Sequence, residues 1–178
     1  MVRLCLSRSR AATKRFARTV LRDRSAVGRH PLILALMGEL GSGKTTFIQG
    51  LTKALGVREK VQSPTFVLMK WYRLPKRVSP FRHFVHVDAY RLESLAEAKH
   101  LGLREIFRDH DVIVAIEWAD RIRKLIPRNA IWLHFRHGQH VHERIVGLKV
   151  QSVKSQRKAQ KAKVLTSQLQ LLTSSFKL

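Results

Sequence analysis

Residues 38–45 read Gly-Glu-Leu-Gly-Ser-Gly-Lys-Thr, an ungapped match to the pattern G-x-x-x-x-G-K-[ST]. Such a string works only where a buried strand hands over to a helix, because the helix must aim its free amides and positive dipole end at one point. Both flanks agree. Residues 32–37 are an apolar run of strand length, and Phe47, Ile48, Leu51 and Leu55 recur on one face of a helix expected over 44–55 and ended by Gly56. Gly38, Gly41 and Gly43 let the loop backbone turn its N–H groups inward. Lys44 supplies a point charge for β- and γ-phosphates, and the Thr45 hydroxyl a ligand for magnesium. The stretch is therefore expected to bind a nucleoside triphosphate with Mg2+.

A phosphate loop needs a carboxylate at the end of a neighbouring strand. Residues 112–116 are five apolar residues followed by Glu117, the pattern of a central strand delivering an acid beside the phosphates to hold magnesium. Asp88 ends a second candidate strand, Phe-Val-His-Val-Asp, and could orient the attacking water. A helix cap and a turn aspartate are the plainer readings of these two acids.

The remaining pattern alternates strands with helices. We expect a strand at 2–6, a basic helix near 10–22, a loop over 28–31, strands at 66–74 and 81–88 joined by a proline-bracketed loop at 75–80, and a helix over 95–101 opened by a capping box at Ser94 and Glu97. Gly102 then separates a short turn at 104–107, a helix follows the 112–116 strand as far as Ile126, and strands at 130–135 and 141–150 form a hairpin around Gly138. The fold class is α/β: a P-loop NTPase-like sheet with flanking helices and antiparallel hairpin strands. Residues 1–150 form the domain, and 151–178 read as a basic C-terminal extension, mobile or helical.

Charge is the outlying property of the composition. The 178 residues carry a formal net charge of +23, and residues 1–30 alone hold nine Arg or Lys against one acid, while 148–178 hold seven against none. That imbalance suits either a self-repelling, soluble surface or a contact with polyanions such as nucleic acid. An organellar targeting leader is also Arg-rich, but the alternation of Val2, Leu4 and Leu6 and the helical spacing of Ala12, Phe16 and Val20 argue for folded elements. The single cysteine, Cys5, excludes an internal disulfide and fits a cytoplasmic setting. No apolar run is long enough to span a bilayer.

GELGSGKTTF, Ser63-Pro-Thr-Phe66, HVDAYRL at 86–92, Gly102-Leu-Arg-Glu105 and IEWADR at 116–121 occur in that order. The series closely resembles the TsaE (YjeE) family, over about residues 4–150, including a Ser9-x-x-x-Thr13 start to a first helix. The resemblance implies a small P-loop ATPase that acts with the partner proteins TsaD and TsaB. That pair transfers a threonylcarbamoyl group to the adenosine 3′ of the anticodon in tRNA, and hydrolysis of ATP resets the machinery between turnovers. It further implies that residues 41–46, Ser42 and Thr46 included, hold the phosphates. By the same resemblance Thr45 and Glu117 hold the magnesium, Asp88 is a catalytic acid or base, and Thr65 senses the γ-phosphate. Thr13 and Arg144 approach the nucleotide from the two ends of the domain, and Trp118 lies beside it. The chain departs from the family in the residues between Ser9 and Thr13, which are Arg10, Ala11 and Ala12 where acids are usual, in the basic insert at 75–80, and in its extension beyond residue 150. Direct contact between tRNA and the basic ends is a hypothesis these departures raise.

Two other functions fit a phosphate loop. A small-molecule kinase would need an acceptor pocket and a lid, for which the 75–80 insert is short. A nucleotide-dependent RNA-binding switch would depend on the tails rather than on Lys44. A protein kinase is excluded by the lack of a catalytic-loop signature. His134, His137, His140 and His142 cluster on the expected hairpin with one acid, Glu143, and no cysteine, which suits exposed histidines better than zinc ligands; His83 and His86 read as structural.

Overall fold

Buried on both faces, the 32–37 run becomes the central strand of the sheet. The computed structural model describes residues 2–25, 31–76 and 79–150. In chain order these form β1 (Val2–Ser7), α1 (Arg10–Ser25), β2 (Leu32–Gly38), α2 (Lys44–Ala54), β3 (Met69–Arg73), β4 (His83–Asp88), α3 (Leu95–His100), α4 (Leu103–Ile106), β5 (Val112–Glu117), a 3-10 turn (Ala119–Ile122), β6 (Ile131–His137) and β7 (Arg144–Val150). The expected loop at 28–31 and extension at 151–178 lie largely or wholly outside the described residues, as do residues 77–78 of the insert.

The seven strands are ordered β1-β7-β6-β2-β5-β4-β3. β6, β2, β5 and β4 are mutually parallel, while β3, β7 and β1 add antiparallel pairs at the edges. Alternation along β2 sorts its side chains by face. Leu32, Leu34 and Leu36 pack with Phe47, Ile48 and Leu51 of α2 and Ala17 and Val20 of α1. Ile33 and Ala35 join Val114 and Ile116 of β5 and Ala98, Leu103 and Ile106 of α3 and α4. A strand covered on both faces must be apolar throughout, which is why 32–37 shows no alternation in sequence.

The two helices of the first face meet at Gly50. A Cβ built there would lie 2.5 Å from Lys14 Cα and 2.6 Å from its carbonyl oxygen, so the contact is backbone on backbone. Gly50→Ala is expected to lower stability by about 2–3 kcal/mol, a fall in Tm of about 5–10 °C, although alanine is the better helix former by about 1 kcal/mol. Thermal melting checks this: a rise in Tm would mean that propensity outweighs the close approach.

Three expectations are corrected. Residues 66–68 are a turn rather than strand, because the N–H groups of Val67 and Leu68 both donate to the Pro64 carbonyl, at 3.0 and 2.6 Å, and Leu68 takes a left-handed φ of 63°. The helix expected after β5 shrinks to the 3-10 turn Ala119–Ile122, followed by turns; Ile122 and Ile126 are buried without a continuous helical stripe to carry more. The last strand starts at Arg144 and not at residue 141, where Val141 is exposed in the hairpin loop. The capping box forms with one change: Ser94 Oγ accepts the Glu97 N–H at 3.2 Å, but Glu97 returns its bond to the N–H of Glu93, one residue before the cap.

Candidate functional site

β2 ends at Gly38, where φ is 136° and an added Cβ would sit 2.1 Å from the Phe135 carbonyl oxygen of β6. Only a glycine passes between the strands there. The chain then turns through Gly41 and Gly43, both left-handed, and Gly43 caps α2 without a side chain. The free amides of the first turn of α2 are thus left open on the side of the loop. Ser42 is buried and turned inward, its hydroxyl donating to the Glu39 carbonyl at 2.7 Å.

Lys44 folds back across the loop. Its Nζ donates to the carbonyls of Gly38 at 2.7 Å and Glu39 at 2.8 Å and stands 3.8 Å from the centre of the Trp118 ring. Burial pushes the Lys44 ammonium below its ordinary pKa, opposed by the carboxylates of Glu117, Asp88 and Asp120. Trp118 presents its ring from a left-handed backbone, φ 57° and ψ 39°, an uncommon conformation for a bulky residue and a costly one kept where the surroundings enforce it. Tyr90 packs against it, the rings tilted by 47° with their centres 5.0 Å apart.

The two acids arrive side by side. β4 and β5 are parallel with Asp88 opposite Glu117, and parity along each strand turns both toward α2. Glu117 is buried, and Thr45 Oγ1 donates to it at 2.8 and 3.0 Å. Behind it, His86 is fully buried with Nε2 2.9 Å from Glu117 Oε1; its Nδ1 has no hydrogen-bond partner, so Nε2 carries the donated proton. Asp88 is held from three sides: Oδ2 accepts the hydroxyls of Ser63 and of Thr65, the latter at 2.7 Å, and Oδ1 accepts the Tyr90 N–H at 2.9 Å. The 64–68 turn makes this possible, with Leu68 accepting the Asp88 N–H at 2.9 Å.

These groups line one cavity of about 660 Å3. Thr13, Gly41, Gly43, Lys44, Thr45, Thr46, Thr65, Asp88, Glu117 and Arg144 all border it; Gly38 and Ser42 stand behind the loop wall. Thr13 is buried beneath the rim, its hydroxyl 2.8 Å from that of Ser7, and Ser9 caps α1 by accepting the Ala12 N–H at 3.1 Å. Arg144 clasps the loop from β7, donating from Nε and Nη2 to the Gly41 carbonyl at 3.2 and 3.1 Å and from Nη1 to those of Val141 and Glu143. Sequence reasoning missed Ser63 and Tyr90 as partners of Asp88, and His86 as the partner of Glu117. The alternation of His86 with Asp88 on one strand face was the available signal for the last. Among the described residues no three His, Cys, Asp or Glu gather as a metal cluster, so the hairpin histidines form none; His137 bonds the Leu40 carbonyl at 3.1 Å. Also among the described residues, no helix is long and apolar enough to cross a membrane.

The donor set fits a hydrated magnesium ion beside a polyphosphate. Thr45, Glu117 and Asp88 offer hard oxygen atoms, and Mg2+ needs only one or two carboxylates when phosphates and water complete its shell.

Residues 7–146 match the family described as threonylcarbamoyl adenosine biosynthesis protein TsaE. The chain is 33% identical over 135 residues to the tRNA threonylcarbamoyladenosine biosynthesis protein TsaE of Treponema pallidum, covering 74% of this chain and 90% of that one. It is 39% identical over 99 residues to the protein of the same description from Bacillus subtilis, covering 56% and 58% of the two. A crystal structure of Bacillus YdiB superposes with a TM-score of 0.67 at 23% identity, covering 93% of this chain and 97% of that one, a likeness of fold.

Proposed function

The chain belongs to the TsaE family of tRNA threonylcarbamoyladenosine biosynthesis, and from that premise we propose that it is the Mg2+-dependent ATP hydrolase of the pathway, working with TsaD- and TsaB-like partners. One observation carries the reading: the Lys44 ammonium, the Thr45 hydroxyl and the Glu117 carboxylate converge at the start of α2, with Asp88 beside them and a cavity in front.

The residues divide the work as follows. The amides of residues 41–46 and Lys44 bind the β- and γ-phosphates, the ammonium exchanging its loop carbonyls for phosphate oxygens. Thr45 and Glu117 would hold Mg2+, which supplies charge neutralisation on the phosphate oxygens. His86 steadies Glu117 through Oε1, which it shares with Thr45, and Oε2 faces the Thr45 hydroxyl alone. Asp88 holds the attacking water or takes its proton, and Thr65, whose hydroxyl is now spent on Asp88, is free to turn to the γ-phosphate when that carboxylate engages water. Trp118 and Tyr90 shield one side of the site. The guanidinium of Arg144 is committed to loop carbonyls, so the chain holds its loop with it rather than a transferring phosphoryl group. Slow turnover by the isolated chain follows, with a partner completing the site.

Phosphate release measured with the chain alone, then with the TsaD–TsaB pair and tRNA, tests this. Release is expected to be magnesium-dependent and to rise at least about tenfold with the partners. No release in any combination would remove the hydrolase reading, and label recovered on an organic acceptor would replace it with a kinase.

A further inference from the structure

The exposed side of α1 has no role in that site. With about 100° between successive residues, Arg15, Arg18 and Arg22 fall within an arc of about 60°, opposite the buried Thr13, Ala17 and Val20. All three arginines are exposed, and Arg15 and Arg18 make no ion pair among the described residues. Residues 8–22 contain six Arg or Lys and no acid, whereas residues 91–128, which carry the helices of the other face, contain eight against seven. The positive charge is therefore concentrated on one side of the sheet; Asp23, near the end of the helix, is the one acid of α1, and Glu143 of the hairpin is taken by Arg8 at 3.5 Å. A solvated helix face ordinarily mixes charges of both signs; a one-sign stripe repels itself and gains from a polyanion.

We propose that the Arg15, Arg18 and Arg22 stripe of α1 is a docking face for the phosphate backbone of tRNA. Guanidinium groups suit phosphates because they bind them through paired N–H donors. An anionic membrane is the poorer fit: a helix lying on lipid buries its apolar face there, and the apolar face of α1 is already packed in the core. The choice of tRNA among polyanions rests on the pathway to which the family belongs. The stripe starts near the nucleotide cavity, since Arg10 and Thr13 of the same helix line that cavity and Arg15 follows Arg10 by about 7.5 Å of helix.

Anisotropy of a labelled tRNA, titrated with the full chain between 50 and 200 mM KCl, reads the contact directly. The parent should bind with a steep fall of log K against log salt. Arg15→Gln with Arg18→Gln should bind about tenfold more weakly at 50 mM and lose about 1.4–1.8 from the slope, while Arg15→Lys with Arg18→Lys keeps most of the slope. Should the paired glutamine variant lose helix content, Arg18→Gln alone is expected to lose about 0.7–0.9. An unchanged slope would place the contact elsewhere, residues 151–178 being the alternative, and would overturn the proposal. So would undetectable binding at 50 mM, or displacement of tRNA by phosphatidylserine vesicles whose own binding requires the two arginines. ATP affinity, measured on the same variants without tRNA, should not move. A chain that hydrolyses no ATP yet shows the arginine-dependent slope would refute the hydrolase reading and leave this one standing.

Discussion

Lys44→Ala is expected to weaken ATP binding by about a hundredfold and to cut phosphate release by about 10²–10³. The ammonium sits in the fold of the loop, 2.7 and 2.8 Å from two carbonyl oxygens and against the Trp118 ring, with Glu117 and Asp88 in its electrostatic neighbourhood. Remove it, and a nucleotide carrying several negative charges must enter a cavity bordered by two carboxylates with only backbone amides to oppose them. Lys44→Arg should not restore activity. The planar guanidinium is wider than an ammonium and presents a fixed fork, and the gap between the Gly38 and Glu39 carbonyls and an indole face 3.8 Å away accepts a single point donor. The loop itself should survive in both variants, because Gly38, Ser42 and Arg144 hold it through contacts that do not involve Lys44. The checks are calorimetric binding of ATP with magnesium, phosphate release, and Tm. Hydrolysis within threefold of the parent in Lys44→Ala would mean that the phosphates lie somewhere other than this loop.

What could be read in advance was local. The loop between β2 and α2 was legible because an apolar run, a loop with three glycines and an amphipathic helix occur within 24 consecutive residues, 32–55, and each flank restricts the other. Glu117 and Asp88 were legible as strand ends, although their adjacency depends on β4 lying beside β5, which strand patterns alone do not specify. The errors fall where tertiary contacts decide. Residues 66–68 have strand-like composition, but the Pro64 carbonyl captures two N–H groups and bends the chain so that Thr65 reaches Asp88. The segment after Glu117 has enough apolar residues for a helix, but the left-handed Trp118 and a 3-10 turn are what bring the indole over Lys44. His86 reads as a structural strand histidine until β5 places Ala115 opposite it and Glu117 two residues on, giving the imidazole room and a carboxylate. Arg144 reaches Gly41 from a strand 103 residues later, through the pairing of β7 with β6 and β1, a non-local arrangement that no window of sequence contains.

The two acids of the site should separate under mutation, because their surroundings differ. Asp88→Asn is expected to lower the rate of phosphate release by about 10²–10³ while ATP affinity stays within a few-fold of the parent. The aspartate accepts three hydrogen bonds, two from hydroxyls and one from a backbone amide. An asparagine keeps the size and one acceptor oxygen but faces the Ser63 and Thr65 hydroxyls or the Tyr90 N–H with an NH2 group. It therefore loses both the charge and the order of the turn that carries Thr65. Glu117→Gln should act on metal use instead. Its carboxylate bonds Thr45 with both oxygens and is steadied by His86, so the amide weakens the Thr45-side oxygen pair that would hold magnesium. The expected sign is an increase of about tenfold or more in the magnesium concentration needed for half-maximal release, with much of the rate recovered at saturating metal. Titrating magnesium at fixed ATP in both variants distinguishes them. If Asp88→Asn shifted the magnesium requirement and Glu117→Gln lowered only the maximal rate, the roles would be exchanged: Glu117 would be the residue that orients water, and Asp88, with its clamp of hydroxyls, the one that waits for the ion.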